Sequence, residues 1–281
     1  MKTGLVMEGG AMRGLFSAGV TDVLMENGIE FDVGIGVSAG ACFGCNYKSG
    51  QNGRVIRYNL RFCRDKRYCS IQSLIKTGNM FGAEFCYHTI PDKLDLFDYK
   101  TYNANPMEFF CVCTDILTGK PVYKKLKTAD RRELEWMRAS ASMPLVSRIV
   151  ELDGKKLLDG GIADSIPLRF IEKYGCSRNV VILTQPRDYT KKAGKSLSLV
   201  KLFYKKYPQL INCYVNRPKM YNEQLQYVRC SEKEGRAFVI APPCPLPIGH
   251  IEHEPDKLLE VYRIGRKTAL NRLDELTRFL A

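Results

Sequence analysis

The sequence has little of what several functional classes need. No window of about 18 uninterrupted apolar residues occurs in its 281 residues, so a membrane-spanning helix is not expected. Only three histidines are present, His88, His250 and His253, and the single Cys-x-x-Cys, Cys42 and Cys45, has no second ligand pair at suitable spacing. Zinc is therefore not expected, and no other metal or cofactor is called for. No Gly-Lys-Ser/Thr follows either Gly-rich turn, which argues against a phosphate-cradling P-loop. None of the helix, finger or aromatic-strand motifs of nucleic-acid modules is found, so nucleic acid is not an expected partner. Internal repeats are missing, and the one biased tract is the Pro-rich link at residues 241–247. Acid is in the minority, 30 Asp and Glu against 43 Lys and Arg, for a formal charge of +13. That surplus suits an anionic surface such as a membrane leaflet.

What is present is a globular composition, 45% hydrophobic and long enough for one large domain or a domain with an appendage. The eleven cysteines are odd in number and scattered from Cys42 to Cys244, which reads as reduced thiols used for packing. Residues 1–10 are too short and too acidic for a signal peptide, so a cytoplasmic protein is expected, with peripheral contact to the inner face of the membrane as an option. Oligomeric state is not encoded in any feature of the sequence.

Residues 1–48 read as strand, Gly-rich turn, helix, strand, turn, helix. Leu5 to Met7 form a short apolar run, and Leu15, Ala18, Gly19, Val23 and Leu24 recur at helical spacing until Asn27-Gly28. A second apolar run over residues 31–37 breaks at Ser38-Ala39-Gly40. Strands joined through helices favour a parallel sheet, with ligands at the carboxyl ends of its strands. Two hairpins are expected, at residues 108–124 and 149–158, and a helix over residues 131–143 that ends before Pro144. Residues 180–184 read as a buried strand, and from about Pro186 the pattern turns helical, closing with one amphipathic helix over residues 256–280. The expected division is a catalytic domain at 1–185 and a mainly helical region at 186–281, packed on it or appended to it.

Gly36-Val37-Ser38-Ala39-Gly40 carries the sharpest chemical signal: a Gly-x-Ser-x-Gly between a strand and a helix is a nucleophile elbow. Its glycines permit the tight turn that lifts a serine hydroxyl clear of the sheet. Glu8-Gly9-Gly10-Ala11-Met12-Arg13-Gly14 is the second signal, a turn whose backbone N–H groups suit an oxyanion hole. A dinucleotide-binding turn is a rival reading, weakened because Ala11 stands where close approach of a pyrophosphate needs glycine. Leu158-Asp159-Gly160-Gly161 supplies an acid at a strand end, which alone is an ordinary turn and together with Ser38 is a candidate base.

Four blocks in order, Gly9 to Gly14, Gly36 to Gly40, Ala139-Ser140-Ala141-Ser142-Met143-Pro144 and Asp159-Gly160-Gly161, resemble those of the bacterial patatin-like phospholipases. The resemblance covers roughly residues 3–175; the C-terminal third is similar to an extra helical region in one bacterial branch. It implies a three-layer α/β/α fold with a mainly parallel central sheet and a Ser-Asp dyad, Ser38 as nucleophile and Asp159 as base. Gly9, Gly10, Ala11, Arg13 and Gly14 would form the oxyanion loop, Gly36 and Gly40 the elbow, and a lipid or other acyl ester the substrate, with no cofactor. Ala11 departs from the family, which usually has a third glycine there.

Two alternatives stay open. One is an inactive lipid- or ligand-binding protein on the same fold. The other is a Ser-Asp-His triad using His250 or His253, which follow Asp159 in the order that α/β-hydrolases use, although both sit in an acidic segment that reads as a solvated loop. An acyl channel has unplaced candidates in Met80, Phe81, Phe85, Met107, Phe109, Phe110 and Met143. Residues 191–206 mix apolar side chains with Lys191, Lys192, Lys195, Lys201, Lys205 and Lys206, the pattern of an interfacial helix.

Overall fold

The structure is a computed structural model that describes residues 1–194 and 196–281. Lys195 of the basic stretch lies outside the described residues. Strand β1 (Lys2–Met7) leads through the first Gly-rich turn into α1 (Gly14–Glu26), then β2 (Val33–Val37) and α2 (Ala39–Lys48). Helices α3 (Arg54–Phe62) and α4 (Ile71–Thr77), a π-helical segment (Phe85–Leu94) and α5 (Tyr99–Ala104) intervene before β3 (Glu108–Asp115). Next come β4 (Pro121–Leu126), α6 (Arg131–Ser140), the hairpin β5 (Val150–Leu152) and β6 (Lys155–Asp159), α7 (Leu168–Lys173) and β7 (Cys176–Ile182). The chain ends with α8 (Leu197–Phe203), α9 (Pro208–Lys233), β8 (Ala237–Ile240), α10 (Pro255–Leu270) and α11 (Leu273–Leu280).

One sheet runs in the order β5-β6-β3-β2-β1-β7-β8, with β4 also paired to β3. The five strands from β3 to β8 along that order are parallel, and the two hairpins are antiparallel. Alternation along β1 explains the layers: Leu5 and Met7 enter one apolar core with α1, α2 and α10, while Val6 enters another with α7 and α9. A mixed α/β fold with helices on both faces is the result. Chain order reverses at β1, with β2 and β3 on one side and β7 and β8 on the other. Such a reversal opens a crevice beyond the carboxyl ends of the strands.

The C-terminal stretch departs from its helical reading in two places. Ala237 to Ile240, fully buried, form β8 and pair with β7, because four consecutive apolar residues suit a strand covered on both faces. The expected terminal helix is broken into α10 and α11 at Asn271-Arg272. α10 lies against α1 at close range: a Cβ on Gly19 would sit 2.2 Å from the Tyr262 carbonyl oxygen, and one on Gly265 would sit 2.1 Å from that of Phe16.

Candidate active site

Ser38 stands between β2 and α2 with φ 55° and ψ −122°, a left-handed backbone that costs a non-glycine residue of order 1–3 kcal/mol. Its neighbours explain how the strain is held. A Cβ on Gly36 would fall 2.3 Å from the Gly40 carbonyl oxygen, and one on Gly40 would fall 2.3 Å from that of Met7, so the turn closes only with glycine at both places. Ser38 N–H donates to Ser140 Oγ at 3.0 Å, and that hydroxyl donates to the Val112 carbonyl at 2.6 Å, tying elbow, α6 and β3 together. The next residues of the same block hold the acid, for Asp159 N–H donates to the Ser142 carbonyl at 2.8 Å. Sequence reasoning quoted this block without giving it a task, since its partners are a hundred residues and seventeen residues away.

Asp159 ends β6, is 6% exposed, and accepts the Gly161 N–H at 2.8 Å. Burial pushes its carboxyl above the ordinary aspartate value, opposed by the Arg217 guanidinium, the Ser38 hydroxyl and the Gly161 amide. Arg217, on α9, donates Nε to the Gly161 carbonyl at 2.6 Å.

The first Gly-rich turn lies across the same cavity. Thr184 Oγ1 donates to the Gly9 carbonyl at 2.8 Å and fixes the turn to the end of β7. Arg13 N–H returns to the Gly10 carbonyl at 3.1 Å, and the Gly14 amide is spent on the Ala11 and Met12 carbonyls. The amides of Arg13 and Gly14, expected among the oxyanion donors, are thus consumed by the turn's own closure. The amides of Gly9, Gly10 and Ala11 have no acceptor among the described residues. Ala11 carries φ 49°, the left-handed backbone that glycine adopts without penalty. Behind the turn, Glu8 is buried and accepts the Thr184 N–H and the Tyr221 hydroxyl, each at 2.7 Å. Burial raises its carboxyl, and those two hydrogen bonds oppose the rise.

Two cavities meet at Ser38, and Ala11 and Met143 line both. One, about 130 Å³, is walled by apolar groups including Met12, Phe43, Tyr58, Phe81 and Met137. That is some four times a water's share of liquid volume, about 30 Å³. Among the acyl-channel candidates, Phe81 and Met143 reach it; Phe85, Met107, Phe109 and Phe110 are core, and Met80 packs against the core. Cys42 and Cys45 also line it as free thiols, with pKa values pushed up to about 12 by burial, a packing role and not a reactive one. The other cavity, about 420 Å³, holds Asp159 with Arg13, Lys191, Lys192, Arg217 and Tyr221.

The histidines divide. His253 Nδ1 lies 2.7 Å from the Cys63 carbonyl oxygen, away from both cavities, and buried His88 pairs with Glu135. His250 sits in an exposed loop, as expected for its segment, at the edge of the polar cavity, with Nε2 3.5 Å from Arg13 Nη1. It makes no hydrogen bond to Ser38 or Asp159 among the described residues. Partial desolvation, then Arg13, Arg217 and Lys191, push its pKa down to about 4. Lys191 likewise leaves the expected interfacial helix, which spans only Leu197–Phe203, and turns over the Tyr221 ring at 4.6 Å.

Parallel sheet, strained Gly-x-Ser-x-Gly turn and amide-lined turn together make an α/β protein with a candidate serine site at the carboxyl ends of its strands. A family model described as Patatin-like phospholipase matches residues 5–170, more than half of the chain, and the chain belongs to the patatin-like phospholipase family. A second model, Domain of unknown function (DUF6363), matches residues 207–281. The uncharacterized protein YjjU of Escherichia coli is 28% identical over 273 residues, covering 93% of this chain and 74% of its own length. Lysophospholipase NTE1 of Candida glabrata is 28% identical over 180 residues, covering 62% of this chain, which spans only 10% of that relative. VipD from Legionella pneumophila superposes with a TM-score of 0.51 at 11% identity, covering 98% of this chain and 67% of VipD, a likeness of fold. Among the described residues no helix is long and apolar enough to cross a membrane.

Proposed function

We propose that the protein is a lipid acyl hydrolase that works through an acyl-Ser38 intermediate with Asp159 as its base. The observation that carries the reading is the meeting of Ser38, Asp159 and three unspent amides where an apolar cavity joins a polar one. Ser38 Oγ attacks the ester carbonyl while its proton passes to Asp159, and the Gly9, Gly10 and Ala11 amides take the negative charge of the carbonyl oxygen. As the tetrahedral intermediate collapses, the leaving alcohol takes the proton back from Asp159. Water then attacks the acyl-enzyme, gives its proton to the same carboxylate, and the fatty acid leaves Ser38 with its proton restored. A raised Asp159 is the better base for this cycle, and the Arg217 guanidinium, which favours its charged form, opposes the rise.

The name of the Candida relative favours lysophospholipid esters as the substrate class. A Ser-Asp-His triad is the weaker reading, because His250 makes no hydrogen bond to Ser38 or Asp159 among the described residues, and the cations around it lower its pKa and so its strength as a base. Exposed Leu199, Leu202 and Phe203 on α8, with exposed Lys201, Lys205 and Lys206, support peripheral docking on an anionic membrane. Hydrolysis of octanoyl and longer lysophospholipids tests the proposal: turnover is expected from the native protein and about a thousandfold less from Ser38→Ala. Equal turnover by the two proteins would refute it.

A further inference from the structure

We propose that the polar cavity is a headgroup subsite for a phosphate monoester, so that among acyl esters the protein prefers those whose headgroup carries only negative charge. The inference rests on the hydrolase reading for its substrate but on separate residues for its chemistry. Arg13, Lys191, Lys192 and Arg217 come from three parts of the chain to line one cavity beside Ser38. None of the four forms an ion pair with a carboxylate among the described residues, although many other lysines and arginines of the protein do. Arg13 Nε is buried without any hydrogen-bond partner. Arg217 uses Nε on a backbone carbonyl, and Lys191 rests on a tyrosine face.

The cavity's two carboxylates, Glu8 and Asp159, pair directly with none of these cations: Glu8 accepts from Tyr221 and Thr184 and Asp159 from Gly161, so at most two negative charges face four positive ones. Cations at close quarters are costly to bury, and the cost shows at Lys191, whose pKa falls to about 8 through burial first and Arg217 next. A phosphate monoester answers all of this: it brings up to two negative charges and three acceptor oxygens, which guanidinium forks bind in pairs. A choline headgroup would add one more cation to a cavity already holding four. With the ester carbonyl at Ser38, the acyl chain lies in the apolar cavity and the headgroup in the cationic one.

Calorimetric binding to the Ser38→Ala protein tests the subsite without requiring catalysis. Octanoyl lysophosphatidate, octanoyl lysophosphatidylcholine and inorganic phosphate are the probes. Lysophosphatidate is expected to bind about tenfold or more tightly than the choline ester, and Lys191→Gln in the same protein to remove about tenfold of that preference. Lys192→Gln, on the exposed rim and free of packing consequences, is expected to remove about threefold. Equal affinities for the two lipids overturn the proposal, as does inorganic phosphate binding with no headgroup preference, which would mark a free-anion site. Headgroup-selective binding by a native protein that cleaves neither lipid would retain the subsite and remove the hydrolase reading. Cleavage of both at equal kcat/KM would do the reverse.

Discussion

The two cavities that meet at Ser38 differ in origin as sharply as in character. The apolar one is walled entirely by residues between Ala11 and Met143, all within the segment that matches the family model. The polar one takes Gln185, Tyr189, Lys191, Tyr214, Arg217, Tyr221 and His250 from beyond that segment. The N-terminal segment thus brings Ser38, Asp159 and the apolar wall, and the C-terminal region completes the charged wall. On the proposed reading, the chemistry could stay fixed while headgroup recognition changes with the C-terminal region.

The sharpest break in this picture comes from Asp159→Asn, which keeps the shape of the polar wall and removes the base. Steady-state turnover of an octanoyl ester is expected to fall about a thousandfold. Stability should move the other way, and with a definite sign. Asp159 has its pKa raised in the folded protein, so its contribution is full below the ordinary aspartate range and is lost as pH rises through the raised value. Thermal melts should therefore show Asp159→Asn gaining on the native protein as pH increases from acid to neutral.

On the apolar side, Cys42→Phe should narrow the cavity and leave the cationic side intact. Hexanoyl and lauroyl ester kinetics check this, with KM for the longer chain rising about tenfold and the shorter changing little. Tyr221→Phe probes the wall of the polar cavity by removing the hydroxyl that donates to Glu8. Denaturant titration is expected to show a loss of about 1–3 kcal/mol at neutral pH. The loss should shrink in acid, because a protonated Glu8 needs that donor less. The smallest effect belongs to Ala11→Gly, which relieves a left-handed alanine in the shared turn. Equilibrium unfolding should show a gain of about 1 kcal/mol, offset in part by the freedom glycine adds to the unfolded chain.

The difference between the cavities is also a difference in legibility. Gly36 to Gly40, the Gly9–Gly10 turn and Asp159 could be read from the sequence because a strained turn and a strand-end acid dictate residue types over a few adjacent positions. Both hairpins and the β1–α1–β2–α2 opening were legible for the same reason. β8 was not, because four apolar residues between helices fit either element until β7 is there to pair with them. Lys191 looked like one more lysine on a basic helix; only the packing of α9, which places Tyr221 under it, turns it inward. Arg217 gave no local signal, and His250 only its place in chain order after Asp159, since their partners Gly161 and Arg13 lie 56 and 237 positions away. Glu8 alone carried a hint, a charge directly after a buried strand.

The most direct test of the central claim is covalent: a fluorophosphonate probe offered to the native protein, followed by mass spectrometry of the labelled peptide. A serine activated by Asp159 and faced by three open amides should take one phosphonyl group on Ser38, and Asp159→Asn should label far more slowly. A protein that stays unlabelled, or one labelled at another residue with Ser38 untouched, would contradict the account.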